Sequence, residues 1–175
     1  MAIGKTKVME ALGFRLRPAV LEDEKFLRTL FAETNVTLQA LPPELQASLL
    51  DMQYRGRTMT YSTEYPEAKD SIACLDDGTP VGRHLVERKA DGFRTIDLAI
   101  LPQWQGKGIG TRILKDLAQE SRQAGVKFNL RVVKENPAIR LYVRLGFEVV
   151  AEDAISYEMV WRENREDSTN SLADR

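Results

Sequence analysis

Three glycines at alternate positions, Gly106, Gly108 and Gly110, with Lys107 between the first two, form the stretch of this sequence best suited to chemistry. Stripping side chains from one side of the backbone lets consecutive N–H groups approach a ligand closely, in dihedrals that other residues avoid. Behind the glycines, Ile109, Ile113, Leu114, Leu117, Ala118 and Ala124 recur at helical spacing, with Lys115, Asp116, Glu120 and Arg122 on the opposite side. An amphipathic helix is therefore predicted to open at the loop and to end at Gly125. Free N–H groups and the positive end of the helix dipole converge on the glycines, making an anion site suited to a pyrophosphate. Lys107 adds a positive charge. Two familiar phosphate loops do not fit. A dinucleotide fingerprint lacks its third glycine, because Thr111 and Ile113 stand where it would fall, and a P-loop would need Ser or Thr after Lys107. The alternative is a glycine-rich connection that binds nothing.

The loop needs a strand to deliver it. In Arg94 to Leu101, Ile96, Leu98 and Ile100 alternate with Thr95, Asp97 and Ala99, and the run becomes continuously apolar at its end, as in a central strand. Pro102 turns the chain into the loop. Other strands are read at 14–17, closed by Pro18, and at 71–75 and 81–88, joined by the Asp76-Asp77-Gly78-Thr79-Pro80 turn. Further strands fall at 128–133, from Phe147 through Val150, and at 155–161. Helices are predicted over 21–34, behind an acidic first turn, over 44–57 after Pro42-Pro43, and from Ala138 to Leu145. The segment 56–70, rich in Thr, Ser and Tyr, reads as an exposed loop or a substrate-facing wall. Its Tyr54, Tyr61 and Tyr65 are open to packing or recognition.

A second motif names a family. Asn136-Pro137-Ala138-Ile139-Arg140-Leu141-Tyr142-Val143-Arg144-Leu145-Gly146-Phe147 resembles motif B of the GNAT superfamily of acyl-CoA-dependent N-acetyltransferases. Gln105, Gly108 and Gly110 match motif A of the same superfamily, Gln/Arg-x-x-Gly-x-Gly/Ala, in the right order along the chain. The resemblance covers 14–161, most strongly 94–147. It implies a three-layer α/β (α+β) fold: a mixed, mostly antiparallel sheet of about seven strands, helices on both faces, splayed at the cofactor site between the strands ending at Leu101 and Val133. It also implies an acetyl group moved from acetyl-CoA to a primary amine, with no metal, and a homodimer is common among relatives. The backbone of Leu98, Ala99 and Ile100 would pair with the pantetheine arm, and the N–H groups of Gln105, Gly106, Lys107, Gly108, Ile109, Gly110 and Thr111 would hold the pyrophosphate. Asn136 would contact the pantetheine region, although it stands two residues before Ala138 where many relatives have three. A plain helix N-cap is its other reading.

Tyr142 resembles the family's tyrosine that protonates the departing thiolate. A phenol with an ordinary pKa near ~10 suits that task, and its alternative is a core tyrosine on the helix stripe. The attacking amine must be neutral, so a base is expected. Asp97 is the candidate, with an edge-facing charge or structural acceptor as its other readings, and His84 and Glu87 compete. Cys74 reads as a small buried residue rather than a nucleophile. A CoA-binding sensor without turnover is the competing function.

Composition sets the outer bounds. In 175 residues, 43% are hydrophobic and the 29% that are charged nearly cancel to −1, which gives no electrostatic case for nucleic acid or an anionic membrane. No apolar run approaches the ~20 residues of a membrane span. The start lacks the apolar core of a secretion signal, so the cytoplasm is the expected address. One cysteine and one histidine leave no internal disulfide and no Cys/His metal cluster. Residues 1–12 read as a weakly ordered leader, 13–161 as the N-acetyltransferase domain, and 162–175 as a solvated tail. The acceptor, a small-molecule amine or a protein amine, is not named by the sequence.

Overall fold

The computed structural model describes residues 13–163. The expected leader, and the tail beyond Glu163, lie outside the described residues. The strands are β1 (Phe14–Pro18), β2 (Lys69–Leu75), β3 (Pro80–Lys89), β4 (Gly92–Ile100), β5 (Lys127–Val133), β6 (Phe147–Glu152) and β7 (Ser156–Trp161). The helices are α1 (Glu24–Thr34), α2 (Val36–Gln39), α3 (Pro43–Glu64), α4 (Ile109–Ala124) and α5 (Ile139–Arg144). The strands form one seven-stranded sheet in the order β1-β2-β3-β4-β5-β7-β6. Only β4 and β5 run parallel, joined by the crossover through α4. The expected mixed, mostly antiparallel sheet with helices on both faces is therefore observed.

One face of the sheet carries α4 and α5. Leu114, Leu117 and Ala118 of α4 and Tyr142 of α5 pack with Phe93, Phe128, Leu130, Val132, Phe147 and Met159 of the strands. Ile109 and Ile113, from the start of α4, pack separately with Ala73 and Val81. The other face carries α1, which lies on β3 and β4. Its Phe31 forms a small core with Leu38 and Tyr54, backed by Leu49 and Leu50 of α3.

The fold departs from the sequence reading in two places that matter for function. First, α3 does not stop near Arg57. It continues to Glu64, so the segment left open as loop or wall is mostly helix. Thr and Ser are poor helix formers, but Thr60 Oγ1 returns a hydrogen bond to the Gly56 carbonyl at 3.0 Å and Ser62 Oγ one to Met59 at 3.0 Å. Arg57 fastens this half of the helix to the sheet through an ion pair with Asp97. Tertiary contacts thus override weak propensity.

Second, β4 does not alternate without interruption. Leu85 pairs with Asp97 and Val86 with Thr95, so Ile96 is an unpaired bulge residue. The bulge resets the faces. Phe93 and Leu98 pack on the α4 side, while Asp97 meets α3.

Gly82 permits the close β3–β4 approach behind this bulge. A Cβ there would sit 2.7 Å from the Ala99 carbonyl oxygen and 2.5 Å from Ile100 Cδ1. We expect Gly82→Ala to lower stability by about 1–3 kcal/mol in urea denaturation, because a backbone carbonyl has to give way. An unaltered midpoint would show that the ladder absorbs the methyl group.

Candidate active site

The parallel β4–β5 ladder runs from Gly92↔Lys127 to Thr95↔Leu130 and stops. Beyond that point β4 stays paired with β3 as far as Ile100, and β5 with β7 as far as Val133. The two strands therefore open into a fork, with Leu98, Ala99 and Ile100 on one arm. This is the splay expected between the ends of these strands.

The glycine loop closes the end of the β4 arm. A 3-10 turn at Pro102–Trp104 leads into Gly106 (φ 71°) and Gly108 (φ 87°), both left-handed and both with open space where a Cβ would stand. Gly108 caps α4 with no side-chain hydrogen bond, and the first helical bond runs from Arg112 N to the Gly108 carbonyl at 3.0 Å. Consequently the backbone N–H groups from Gly106 to Thr111 have no hydrogen-bond partner among the described residues. Such a run of free donors at a helix start is what an anion needs. Gln105 differs: its N–H goes to Pro102 at 3.2 Å, and its side chain donates to the Ile100 carbonyl at 2.8 Å, tying the loop to the end of β4.

Neighbouring side chains hold the loop in place. The Lys107 ammonium lies 5.5 Å from the centre of the Trp104 ring, a cation–π contact beside the free donors. Ile109 is buried and contributes packing. Gly110 sits where a Cβ would touch Leu98 and Leu141, each at 3.8 Å, so the first turn of α4 nests between β4 and α5.

From α5, Tyr142 turns into the core, edge-on to Phe147 with ring centres 5.8 Å apart. Its hydroxyl has no protein hydrogen bond among the described residues. Burial first, and then the nearby charge of Asp97, push the phenol up to about 12, so it keeps its proton throughout the neutral range. α5 has Ala138 as its N-cap, so Asn136 does not cap the helix but makes a tight turn ahead of it. Its Oδ1 accepts from Ala138 N at 2.9 Å, which leaves the side-chain NH2 as the group available to a ligand.

Asp97 sits within a charge cluster that was not apparent from the sequence. Its Oδ2 accepts from Arg57 of α3 and, at 3.2 Å, from Arg83 of β3. Arg83 also grips Asp70 through two bonds of 2.9 and 2.7 Å. The Arg57 guanidinium lies over the rings of Phe31 and Tyr61, at 5.0 and 5.2 Å. The two arginines balance the two carboxylates, and Asp97 Oδ1 remains without a hydrogen bond among the described residues. The sequence signal was present: charges inside apolar strands, Arg83 in one and Asp97 in the next, need partners.

The competing bases sit elsewhere. His84 is 2% exposed, and its Nε2 lies 3.1 Å from Thr95 Oγ1 on the α4 side of the sheet. Burial, with Arg88 nearby, holds it down at about 4, so it is neutral near pH 7. Glu87 is buried, with Lys89 Nζ 2.9 Å away, close enough for ion pairing but not aligned as a hydrogen bond. Cys74 is buried and free, as expected. Among the described residues no cluster of His, Cys, Asp and Glu is placed to hold a metal, and no helix is long and apolar enough to cross a membrane.

Comparison with known proteins agrees with this geometry. Residues 68–149 match the model of the acetyltransferase (GNAT) domain. The chain is similar to the mycothiol acetyltransferase of Thermobifida fusca (strain YX), 30% identical over 103 residues, which is 58% of this chain and 28% of that protein. It thus spans well under a third of the length of this curated relative. In fold it is similar to the PaiA N-acetyltransferase of Thermoplasma acidophilum, solved in complex with coenzyme A. The TM-score is 0.67 at 19% identity, over 87% of this chain and 100% of that one. The ribosomal-protein-S18-alanine N-acetyltransferase of Escherichia coli gives a TM-score of 0.61 at 16% identity, over 87% and 97%.

Buried His84 gives the fold a defined acid sensitivity. Its proton affinity falls from an ordinary 6.5 to about 4 on folding, so its contribution is intact above pH 6.5 and declines as pH drops toward 4. The full loss amounts to about 3 kcal/mol. Denaturant titrations between pH 7 and 4 should show a shallower decline for His84→Gln than for the wild type. Parallel slopes would remove His84 from the acid response.

Proposed function

We propose that this chain, whose residues 68–149 match the acetyltransferase (GNAT) domain, is an N-acetyltransferase that moves an acetyl group from acetyl-CoA directly to a primary amine, in the cytoplasm. The observation that carries this reading is the unpartnered run of N–H groups from Gly106 to Thr111 at the open end of the β4–β5 fork. Left-handed Gly106 and Gly108, with nothing where a Cβ would stand, suit a pyrophosphate resting on the backbone, with Lys107 beside it. The edge of β4 at Leu98, Ala99 and Ile100, which no longer pairs with β5, would offer the pantetheine amides those backbone groups that β3 and the Gln105 side chain leave free. The Asn136 side-chain NH2 would add a contact.

Bound acetyl-CoA would supply a thioester whose C–S bond breaks as the acceptor nitrogen forms the new C–N bond. The phenol of Tyr142 donates its proton to the sulfur, yielding free thiol. At about 12 it is a weak acid, so its role is to hold a proton ready and hydrogen-bond the growing negative charge. The proton lost by the nitrogen passes to Asp97, directly or through water, at Oδ1, while Arg57 and Arg83 hold Oδ2. Solvent then carries a proton back to the phenolate.

Isothermal titration with acetyl-CoA, followed by thiol release against a panel of amines, tests the proposal. We expect saturable binding and turnover. Binding without turnover against any amine would favour a CoA sensor, and no binding would overturn the site. Gly108→Glu should abolish acetyl-CoA binding with an unchanged far-UV circular dichroism spectrum. Tyr142→Phe should lower kcat by roughly ten- to ten-thousand-fold with little change in CoA affinity. An unimpaired Tyr142→Phe enzyme would leave Tyr142 as packing.

A further inference from the structure

On the α3 side of the fork lies a cavity of about 260 Å³ that the steps above leave without an occupant. Tyr61 and Glu64 on the last turns of α3, with Tyr65 just beyond, form one wall, and Arg94, Ile96 and Arg131 are part of the wall opposite. Ile96 and Arg131 are the first residues of β4 and β5 past the last parallel pair. The cavity therefore opens at the apex of the fork, whose β4 arm leads past Asp97 to Leu98.

Its size and charge restrict what can enter. At about 260 Å³ it falls below the usual range for drug-sized ligands, so a compact molecule fits better than a long one. Arg94 spends Nη2 on Glu158 at 2.9 Å, and Arg131 spends Nε on Ser156 Oγ at 2.8 Å and Nη2 on Asp153. A guanidinium has five N–H donors in a planar fork, so each arginine keeps donors to spare among the described residues. Two guanidinium groups on one cavity match the planar geometry of a carboxylate. Glu64, the carboxylate on the helical wall, has no ion pair among the described residues and would repel an acidic side chain. Tyr61 and Tyr65 bring aromatic surface to the same wall.

We infer that this cavity is the acceptor site, and that it takes a compact amine also carrying a carboxylate, an amino-acid-like zwitterion held by Arg94 and Arg131 with its nitrogen toward Asp97. The inference rests on the transferase reading. The nitrogen is acetylated as above, and the carboxylate is unchanged by the reaction.

The test uses the full chain with acetyl-CoA and the standard L-amino acids, each matched with its amide and its decarboxylated amine, alongside spermidine and short peptides. At least one amino acid should show a kcat/KM about tenfold or more above its amide and its amine. Arg94→Gln and Arg131→Gln should each raise KM for that amino acid by about tenfold or more, leave KM for its amide unchanged, and leave acetyl-CoA affinity unchanged by calorimetry. Arg131 is the safer variant for folding, being 57% exposed on its side chain. Amides or amines that react as well as the acids would overturn the inference. So would peptides or spermidine as the only acceptors, or a protein that binds acetyl-CoA yet acetylates nothing in the panel. Loss of acetyl-CoA binding in the wild-type protein would overturn the transferase reading and this inference together, and calorimetry separates that case from the others.

Discussion

The interrupted pairing between β4 and β5 is the constraint on which the rest of the molecule depends. A parallel ladder that ran its full length would leave a closed sheet, with the backbone groups of both strands satisfied. Here pairing ends at Thr95 and Leu130, while the outer partners β3 and β7 keep the two arms straight. The arms are therefore held open without collapsing, and their inward N–H and C=O groups need partners from solvent or ligand. The Ile96 bulge lies immediately past the last pair and turns Asp97 toward α3. One irregular residue thus sits where the slot begins and sets which side chain of β4 faces α3.

Charge balance fixes the second layer. Asp97 on β4 and Asp70 on β2 are answered by Arg57 and Arg83, one from a helix and one from the intervening strand. Removing a single member of such a partly buried set leaves another charge without its partner, which costs more than the pair contributes. The same cluster attaches α3, whose final turns wall the cavity at the fork, to the strand that leads into the glycine loop. Position of the helix and placement of the carboxylate are set by the same contacts.

How much of this was legible in the sequence depended on whether a segment's own pattern agreed with its surroundings. The glycine loop, α4 with its apolar stripe from Ile109 to Ala118 and the turn at Gly78 all carry local signals that the fold obeys, whereas the splay at the fork came from the family resemblance. The end of α3 does not: the stretch with Thr58, Thr60 and Thr63 reads as an exposed loop or a substrate-facing wall, and it is helix as far as Glu64, tied to the sheet through Arg57. The Ile96 bulge was hidden because Thr95 to Ile100 alternates well enough to pass as regular strand. Asp97 was picked out as chemically interesting, but its two arginines lie 40 and 14 positions away, on elements whose placement no local pattern reveals. His84 stood out for its residue type, and burial against Thr95 gives it a different role.

The loop presents its N–H groups through backbone, and its one large apolar side chain, Ile109, points into the core. The cavity on the other side of the fork is lined instead by side chains, among them Arg94, Arg131, Glu64 and two tyrosines. The two halves of the site are therefore written in different alphabets. On the proposed function, substitutions that preserve the loop's conformation would leave the donor half nearly untouched, whereas single changes on α3 or β5 would redraw the acceptor half. A lineage built on that plan would drift from one acceptor to another while its donor grip stayed constant.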